Sequence, residues 1–166
     1  MSSRIAVIGP ESSGKSTLAR SLAEQFHGSY IPEYGRTYLE QNGLGTNYTY
    51  DDVLAIAQHQ ISELSNSVNS VSVVNIGVTP AVFYDTELVV TKVWFEVKYG
   101  ACPAIVLEAL QRYPMDYYIL CYPDIPWVED PTRENGDQTL REQLFERYLN
   151  EVQQLHIPYY IYFHED

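Results

Sequence analysis

Apolar residues in this chain gather into short runs, and between the runs they recur at helical spacing. Ile5 to Ile8 reads as a short buried strand, and the Gly-rich turn after it leads into a helix on which Leu18, Leu22 and Phe26 return every fourth residue. Ser29 to Glu33 reads as a second short strand, followed by a helix around Tyr34 to Gln41 and a loop containing Gly43, Gly45 and Asn47. The stripe Val53, Ala57, Ile61, Leu64 and Val68 marks a long amphipathic helix, with Thr49 or Asp51 to cap it. Val71 to Ile76 is apolar enough for a strand, but Pro80 separates it from the clearer strand Ala81 to Asp85, and the pattern leaves open whether both join the sheet. Helices are expected from Glu87 to Tyr99 and from Pro103 to Arg112, then a strand from Tyr117 to Tyr122. The polar stretch Pro123 to Gln138 reads as a mobile loop before a helix bearing Leu140, Leu144, Tyr148 and Val152, and Ile157 to Phe163 is a last strand.

Strands that alternate with helices imply an α/β fold of three layers. A mostly parallel sheet of about five strands carries helices on both faces, and ligands bind at the carboxyl ends of the strands. An apolar fraction of 45% over 166 residues supplies one core, so a single domain over 1–166 is expected. The opening MSSRIAVIG is too short an apolar run for a signal peptide and no later stretch is long enough to span a bilayer, which places the protein in the cytoplasm. Cys102 and Cys121 lack metal-ligand spacing and read as ordinary buried thiols.

A formal charge of -12 argues against nucleic-acid or anionic-membrane partners, because phosphate backbones are bound mainly by Lys and Arg. With ten basic residues in all, each one near a phosphate-handling segment carries information. Lys15, Arg36, Arg133 and Arg141 fall there; Arg20, Lys92, Lys98, Arg112 and Arg147 read as solvated helix faces.

The strongest chemical signal is Gly9-Pro10-Glu11-Ser12-Ser13-Gly14-Lys15-Ser16, which fits GxxxxGK[ST] and stands between a strand and a helix as that motif must. Its glycines let successive backbone N–H groups converge on one phosphate, and the helix start adds its positive dipole end. Gly9, Glu11, Ser12, Ser13, Gly14, Lys15, Ser16 and Thr17 are therefore the expected ATP cradle, with Lys15 on the outer phosphates and Ser16 on Mg²⁺. The fold expected is a P-loop NTPase fold.

Further roles rest on position. Asp85 ends an apolar strand, where an acid helps hold the metal in this class, although the same residue type also caps helices. Glu33 closes the second strand and is either a general base facing the γ-phosphate or a partner of Arg36 one turn later. Arg133 and Arg141 lie in or beside a lid at about 123–141, placed either to neutralise a transferring phosphoryl group or simply to meet solvent. Trp127, in a polar loop, is a better ring-stacking candidate than Trp94.

These residues resemble the NadR-type ribosylnicotinamide kinase domain, a P-loop kinase within an AAA-type ATPase-like family. The similar segments are Gly9 to Leu18, Glu33-Tyr34-Gly35-Arg36, Asp85-Thr86-Glu87, and Asp124 to Asp130 with Arg133 following. They run in family order over nearly the whole chain, and the stretch from Asp124 to Asp130 is the most specific. The resemblance implies transfer of the ATP γ-phosphate to the 5′-hydroxyl of nicotinamide riboside, and the catalytic candidates already placed by motif and position are Lys15, Glu33, Asp85, Arg133 and Arg141. A cationic pyridinium suits carboxylates and aromatic rings, an environment expected from Glu33, Tyr34, Asp52, Asp85 and Glu87, and Arg36 and Trp127 are further expected acceptor-site residues. Bifunctional members carry an adenylyltransferase domain before the kinase, for which this sequence has no residues, and related kinases continue beyond the equivalent of His164-Glu165-Asp166 into another helix.

An Asn-Lys-x-Asp segment that would mark a regulatory GTPase does not occur. A kinase of another nucleoside or small metabolite stays open, since one fold accepts many substrates through its loops, and so does a nucleotide-binding sensor without turnover.

Overall fold

The computed structural model describes residues 2–69, 80–134 and 136–164, so the strand expected at Val71 to Ile76 lies outside the described residues. The elements are β1 (Ser3–Ile8), α1 (Lys15–Gln25), β2 (Ser29–Ile31), α2 (Tyr34–Gln41), α3 (Tyr50–Asn69), β3 (Ala81–Asp85), α4 (Leu88–Tyr99), α5 (Ala104–Arg112), β4 (Tyr117–Cys121), α6 (Gln138–Leu155) and β5 (Tyr159–Tyr162). The five strands form one sheet in the order β2-β3-β1-β4-β5, and every pairing is parallel. From β1 the chain leaves toward the β2 edge, and from β3 it leaves toward the β5 edge. A crevice opens at the carboxyl ends of two neighbouring strands whose connections diverge in this way. Val7 pairs with Asp85, so the segment after β1 and the end of β3 lie side by side.

Alternation along β1 explains the layers. Ala6 and Ile8 join a large core with Tyr84, Leu120 and helical residues such as Val53, Val93 and Phe145, whereas Val7 faces Ala19 and Cys121 in a smaller one. Helix α1 packs on β1, β2 and β3 through its small residues Ala19 and Ala23. The expected stripe on α1 is therefore displaced by one position: Leu18 and Leu22 lie at the edge of the small core, and Phe26 is 59% exposed. Close approach of a short helix to a flat sheet favours alanine over leucine.

Helix α3 begins with a reciprocal cap in which Thr49 N donates to Asp52 Oδ2 while Asp52 N donates to Thr49 Oγ. Glu87 caps α4 by accepting from Val89 N at 2.8 Å, and Asp137 caps α6 by accepting from Leu140 N. All five basic residues expected only to meet solvent have specific partners, Arg112 through the Tyr113 ring beside it. Lys92 bridges Glu96 and Glu151, and Arg147 reaches Glu96, tying α4 to α6. Lys98 lies 3.5 Å from Glu134, and Arg20 lies over the Tyr30 ring. Both cysteines are free thiols, and burial pushes Cys121 up to about 12. Among the described residues no helix is long and apolar enough to cross a membrane.

The face of α6 departs from the expected one. Leu140 is exposed, and the buried positions are Arg141, Phe145, Tyr148 and Val152. Arg141 is 2% exposed. Its Nη2 donates to Ser12 O at 2.8 Å and Ile125 O at 3.0 Å, its Nε to Glu11 O at 3.2 Å, and its Nη1 to Gln138 Oε1. An arginine takes this core position because three carbonyl oxygens converge on it from two loops, beside the Gln138 side chain of its own helix. It is thus committed to backbone carbonyls and absent from the cleft lining, in contrast to the catalytic lid role expected for it. Arg141→Met leaves those carbonyls unpaired and is expected to cost about 3 kcal/mol. Thermal unfolding checks this: for a chain of this size the melting temperature should fall by roughly 6–12 °C.

Candidate active site

The turn from β1 into α1 has the backbone that a phosphate cradle needs. Ser12 has φ +59 and Gly14 φ +78, so left-handed and right-handed residues alternate and aim successive N–H groups at one point. Gly9 has no room for a side chain, since a Cβ there would sit 2.7 Å from Cys121 O. A Cβ on Gly14 would meet the His164 imidazole at 2.6 Å; that ring is held over the loop by Asp124, which accepts from His164 N at 2.7 Å and contacts Nδ1 at 2.9 Å. The buried Ser13 hydroxyl has no hydrogen-bond partner among the described residues.

A cleft of about 660 Å³ opens in front of this turn. Lys15 and Ser16 from α1, Glu33 before α2 and Asp85 at the end of β3 all reach it. Strand β2 stops at Ile31, two residues short of the expected end, and Glu33 is the cap position of α2 without capping through its side chain. Instead its carboxylate lies 3.8 Å from Lys15 Nζ and is 27% exposed. Arg36 is turned away to Glu40 and Asp130, which leaves Glu33 to the cleft. Desolvation raises the Glu33 pKa, and Lys15 opposes the rise. Asp85 is buried with Oδ2 accepting from the Tyr30 hydroxyl at 2.9 Å, while Oδ1 has no partner among the described residues. An unpaired buried carboxylate oxygen facing a phosphate site is suited to a hard cation. No group of three or more His, Cys, Asp or Glu among the described residues is placed to hold a metal, so a cation here depends on phosphate oxygens as well.

The expected lid crosses the opening and is docked on the cradle. Val128 N and Arg133 Nη1 both donate to Ser12 Oγ, at 3.0 and 2.9 Å, and Glu134 N donates to Glu11 Oε2 at 2.7 Å. On the far side Arg36 pairs with Asp130, and Tyr48 donates to Glu134 Oε2 at 2.9 Å. Trp94 Nε1 donates in turn to the Tyr48 hydroxyl at 2.8 Å, its ring edge-on to Tyr48 at 4.9 Å. Burial pushes the Glu11 carboxyl up from 4.5 to about 7, against the pull of Lys15 and of the Glu134 N–H.

Thus the structure brings Gly9, Glu11, Ser12, Ser13, Gly14, Lys15, Ser16, Thr17, Glu33, Arg36, Asp85 and Arg133 to one cleft. It takes four expected acceptor residues elsewhere. Tyr34 stacks on His59 at 3.5 Å, Asp52 accepts from Tyr38 and Thr49, and Glu87 is buried as the cap of α4. Trp127 packs against Gly136 with Arg141 over its ring, and the tryptophan that lines the cleft is Trp94. Local sequence carried no signal for Tyr48, Glu134, Tyr30 or Arg20, because each reaches the cleft from a segment whose pattern reads as helix, strand or loop alone, and Trp94 is by local sequence the less favoured of the two tryptophans for ring stacking.

Fold and cleft together define a nucleotide-binding domain of the P-loop class. The chain belongs to the AAA domain family, whose model matches residues 4–165. It is 30% identical over 153 residues to the trifunctional NAD biosynthesis/regulator protein NadR of Escherichia coli (strain K12), covering 89% of this chain and 35% of that protein. Identity to the NadR of Salmonella typhimurium (strain LT2) is also 30%, over 143 residues, with 83% and 32% covered. The chain therefore spans roughly a third of the length of these curated relatives. A solved NadR protein in complex with NR superposes with TM-score 0.67 at 24% identity, over 96% of this chain and 43% of that one. A deoxyadenosine kinase from M. mycoides gives 0.61 at 15%, over 96% and 89%. The matches bear out the NadR-type resemblance carried by the motifs, and the parallel α/β fold expected from the pattern.

Glu11 gives a pH test. Unfolded, it releases its proton near 4.5; folded, near 7, so the folded state holds the extra proton in between and stability falls as pH rises through that window. Glu11→Gln removes this slope. Between about pH 5 and about pH 8 the parent should lose more melting temperature than the variant, and equal losses would show that Glu11 ionises normally.

Proposed function

We propose that this domain transfers the γ-phosphoryl group of ATP to the 5′-hydroxyl of nicotinamide riboside, giving nicotinamide mononucleotide, in the cytoplasm. The observation that carries the reading is the Glu33 carboxylate, held 3.8 Å from the cradle lysine Lys15 in a cleft whose other wall is aromatic and acidic. The likeness to NadR, a solved form of which is in complex with NR, supports this acceptor.

In this reading the backbone N–H groups from Glu11 to Thr17 and the Lys15 ammonium hold the phosphates of ATP. Mg²⁺, when bound, neutralises phosphate charge, and the Ser16 hydroxyl and the free Oδ1 of Asp85 are the groups that would hold it. Glu33 takes the proton from the acceptor hydroxyl as that oxygen bonds to the γ-phosphorus, and ADP departs with the electrons of the broken bond. A raised pKa suits this role, because a base works best when its pKa approaches the operating pH. Arg133, fixed on Ser12, supplies positive charge to the transferring group from the lid side. At the far end Tyr48, Trp94 and the Glu134 carboxylate form a wall suited to a flat cationic ring. These groups stand where Tyr34, Asp52, Glu87 and Trp127 were expected.

ADP release from Mg-ATP should be stimulated by nicotinamide riboside, with nicotinamide mononucleotide seen by mass spectrometry and Lys15→Ala as the blank. Glu33→Gln should lower kcat by about 10²- to 10⁴-fold with KM for ATP little changed. Stimulation by a different nucleoside would keep the mechanism and overturn the acceptor. ATP binding without any stimulated release would favour a sensor.

A further inference from the structure

We propose that Tyr30 is a positioning residue for Asp85: it engages one carboxylate oxygen from the neighbouring strand so that the other is presented alone to the metal and phosphate end of the cleft. The inference rests on the ATP-handling part of the function proposed above and adds a residue that no motif contains.

The sheet register produces the contact. Tyr30 on β2 pairs with Phe83 on β3, and Asp85 lies two residues beyond Phe83. Residues two apart on a strand point to the same face, and a diagonal neighbour on the next strand lies within reach of a long aromatic side chain. The Tyr30 hydroxyl accordingly donates to Asp85 Oδ2 at 2.9 Å, while Oδ1 is buried with no partner among the described residues. Asp85 therefore has two unlike oxygens, one spent within the protein and one free. Without the hydroxyl both would be unpaired in a buried site, and the carboxylate would be free to turn.

A second contact holds the donor. Arg20 of α1 lies over the Tyr30 ring, 5.4 Å from its centroid, and both residues line the cleft. The row Arg20, Tyr30, Asp85 thus runs from the helix that follows the cradle, through the edge strand, to the acid at the end of β3. Groups of this kind orient metal ligands without touching the metal, and removing them typically weakens metal binding by about 10- to 100-fold.

The test uses Mn²⁺ and a non-hydrolysable ATP analogue, with free Mn²⁺ read by electron paramagnetic resonance, so that no acceptor is needed. Tyr30→Phe should weaken Mn²⁺ binding to the protein–analogue complex by about tenfold. Analogue affinity in EDTA and the melting temperature should stay at parent values, and Arg20→Met, on an exposed helix face, should give a smaller loss of Mn²⁺ affinity. In an Asp85→Asn background the added Tyr30→Phe should change Mn²⁺ affinity by no more than about twofold, because residues acting through one another are not additive. Undiminished Mn²⁺ affinity in Tyr30→Phe overturns the inference, as does an equal loss in the Asp85→Asn background or a parallel loss of metal-free analogue binding. A parent complex that binds no Mn²⁺ overturns the ATP-handling reading itself, and the inference with it.

Discussion

One buried guanidinium holds the site in shape. Arg141 projects from the first turn of α6 and donates to the carbonyl oxygens of Glu11, Ser12 and Ile125. A turn whose N–H groups all face a ligand leaves its carbonyls facing the opposite way, into the protein, where each needs a donor. Arginine meets that need better than any other side chain, because its planar fork presents several donors at once and stays charged when desolvated. By filling this role Arg141 joins the cradle, the start of the lid and α6 into one unit, so the anion site is pre-formed rather than assembled by its ligand.

Around that frame the cleft gathers Lys15, Arg20, Arg36, Lys98 and Arg133, five of the ten basic residues of the chain. Glu11, Glu33 and Asp85 share the phosphate end of the cleft with Lys15, and burial raises the pKa of both glutamates. Acids so placed are poorly satisfied without a ligand, and in the proposed reaction incoming phosphates with their counter-cation would draw Lys15 to phosphate and leave Glu33 to act as the base. The net charge of -12 is thus compatible with phosphate binding because the relevant cations are few and local.

The lid is tied to the cradle and to the acceptor wall by adjoining residues. Arg133 donates to Ser12, and Glu134 next to it binds Glu11 through its N–H and Tyr48 through its carboxylate. The phosphate end of the cleft and the end proposed for the acceptor are therefore linked through two residues of one loop, an arrangement that would suit a lid whose closure follows the filling of both. Tyr48 and Trp94 come from a loop and a helix far apart in the chain and meet by a hydrogen bond at that wall. Loops of this kind set the substrate while the sheet and cradle stay constant, in keeping with the fold's match to deoxyadenosine kinase at low identity.

What the sequence determined by itself were the parts set by neighbours along the chain. The strand-turn-helix around Gly9 to Ser16, the parallel α/β alternation and the acids at Glu33 and Asp85 follow from short-range pattern and backbone geometry. Tertiary structure decided which polar groups meet. Glu87 and Asp52 look like cleft acids in the sequence and are helix caps in the fold, Trp127 yields its place to Trp94, and Arg141 is a clamp for carbonyls. The physical reason is that capping, packing and ligand binding use the same side-chain groups, and only their direction and burial in three dimensions distinguish them.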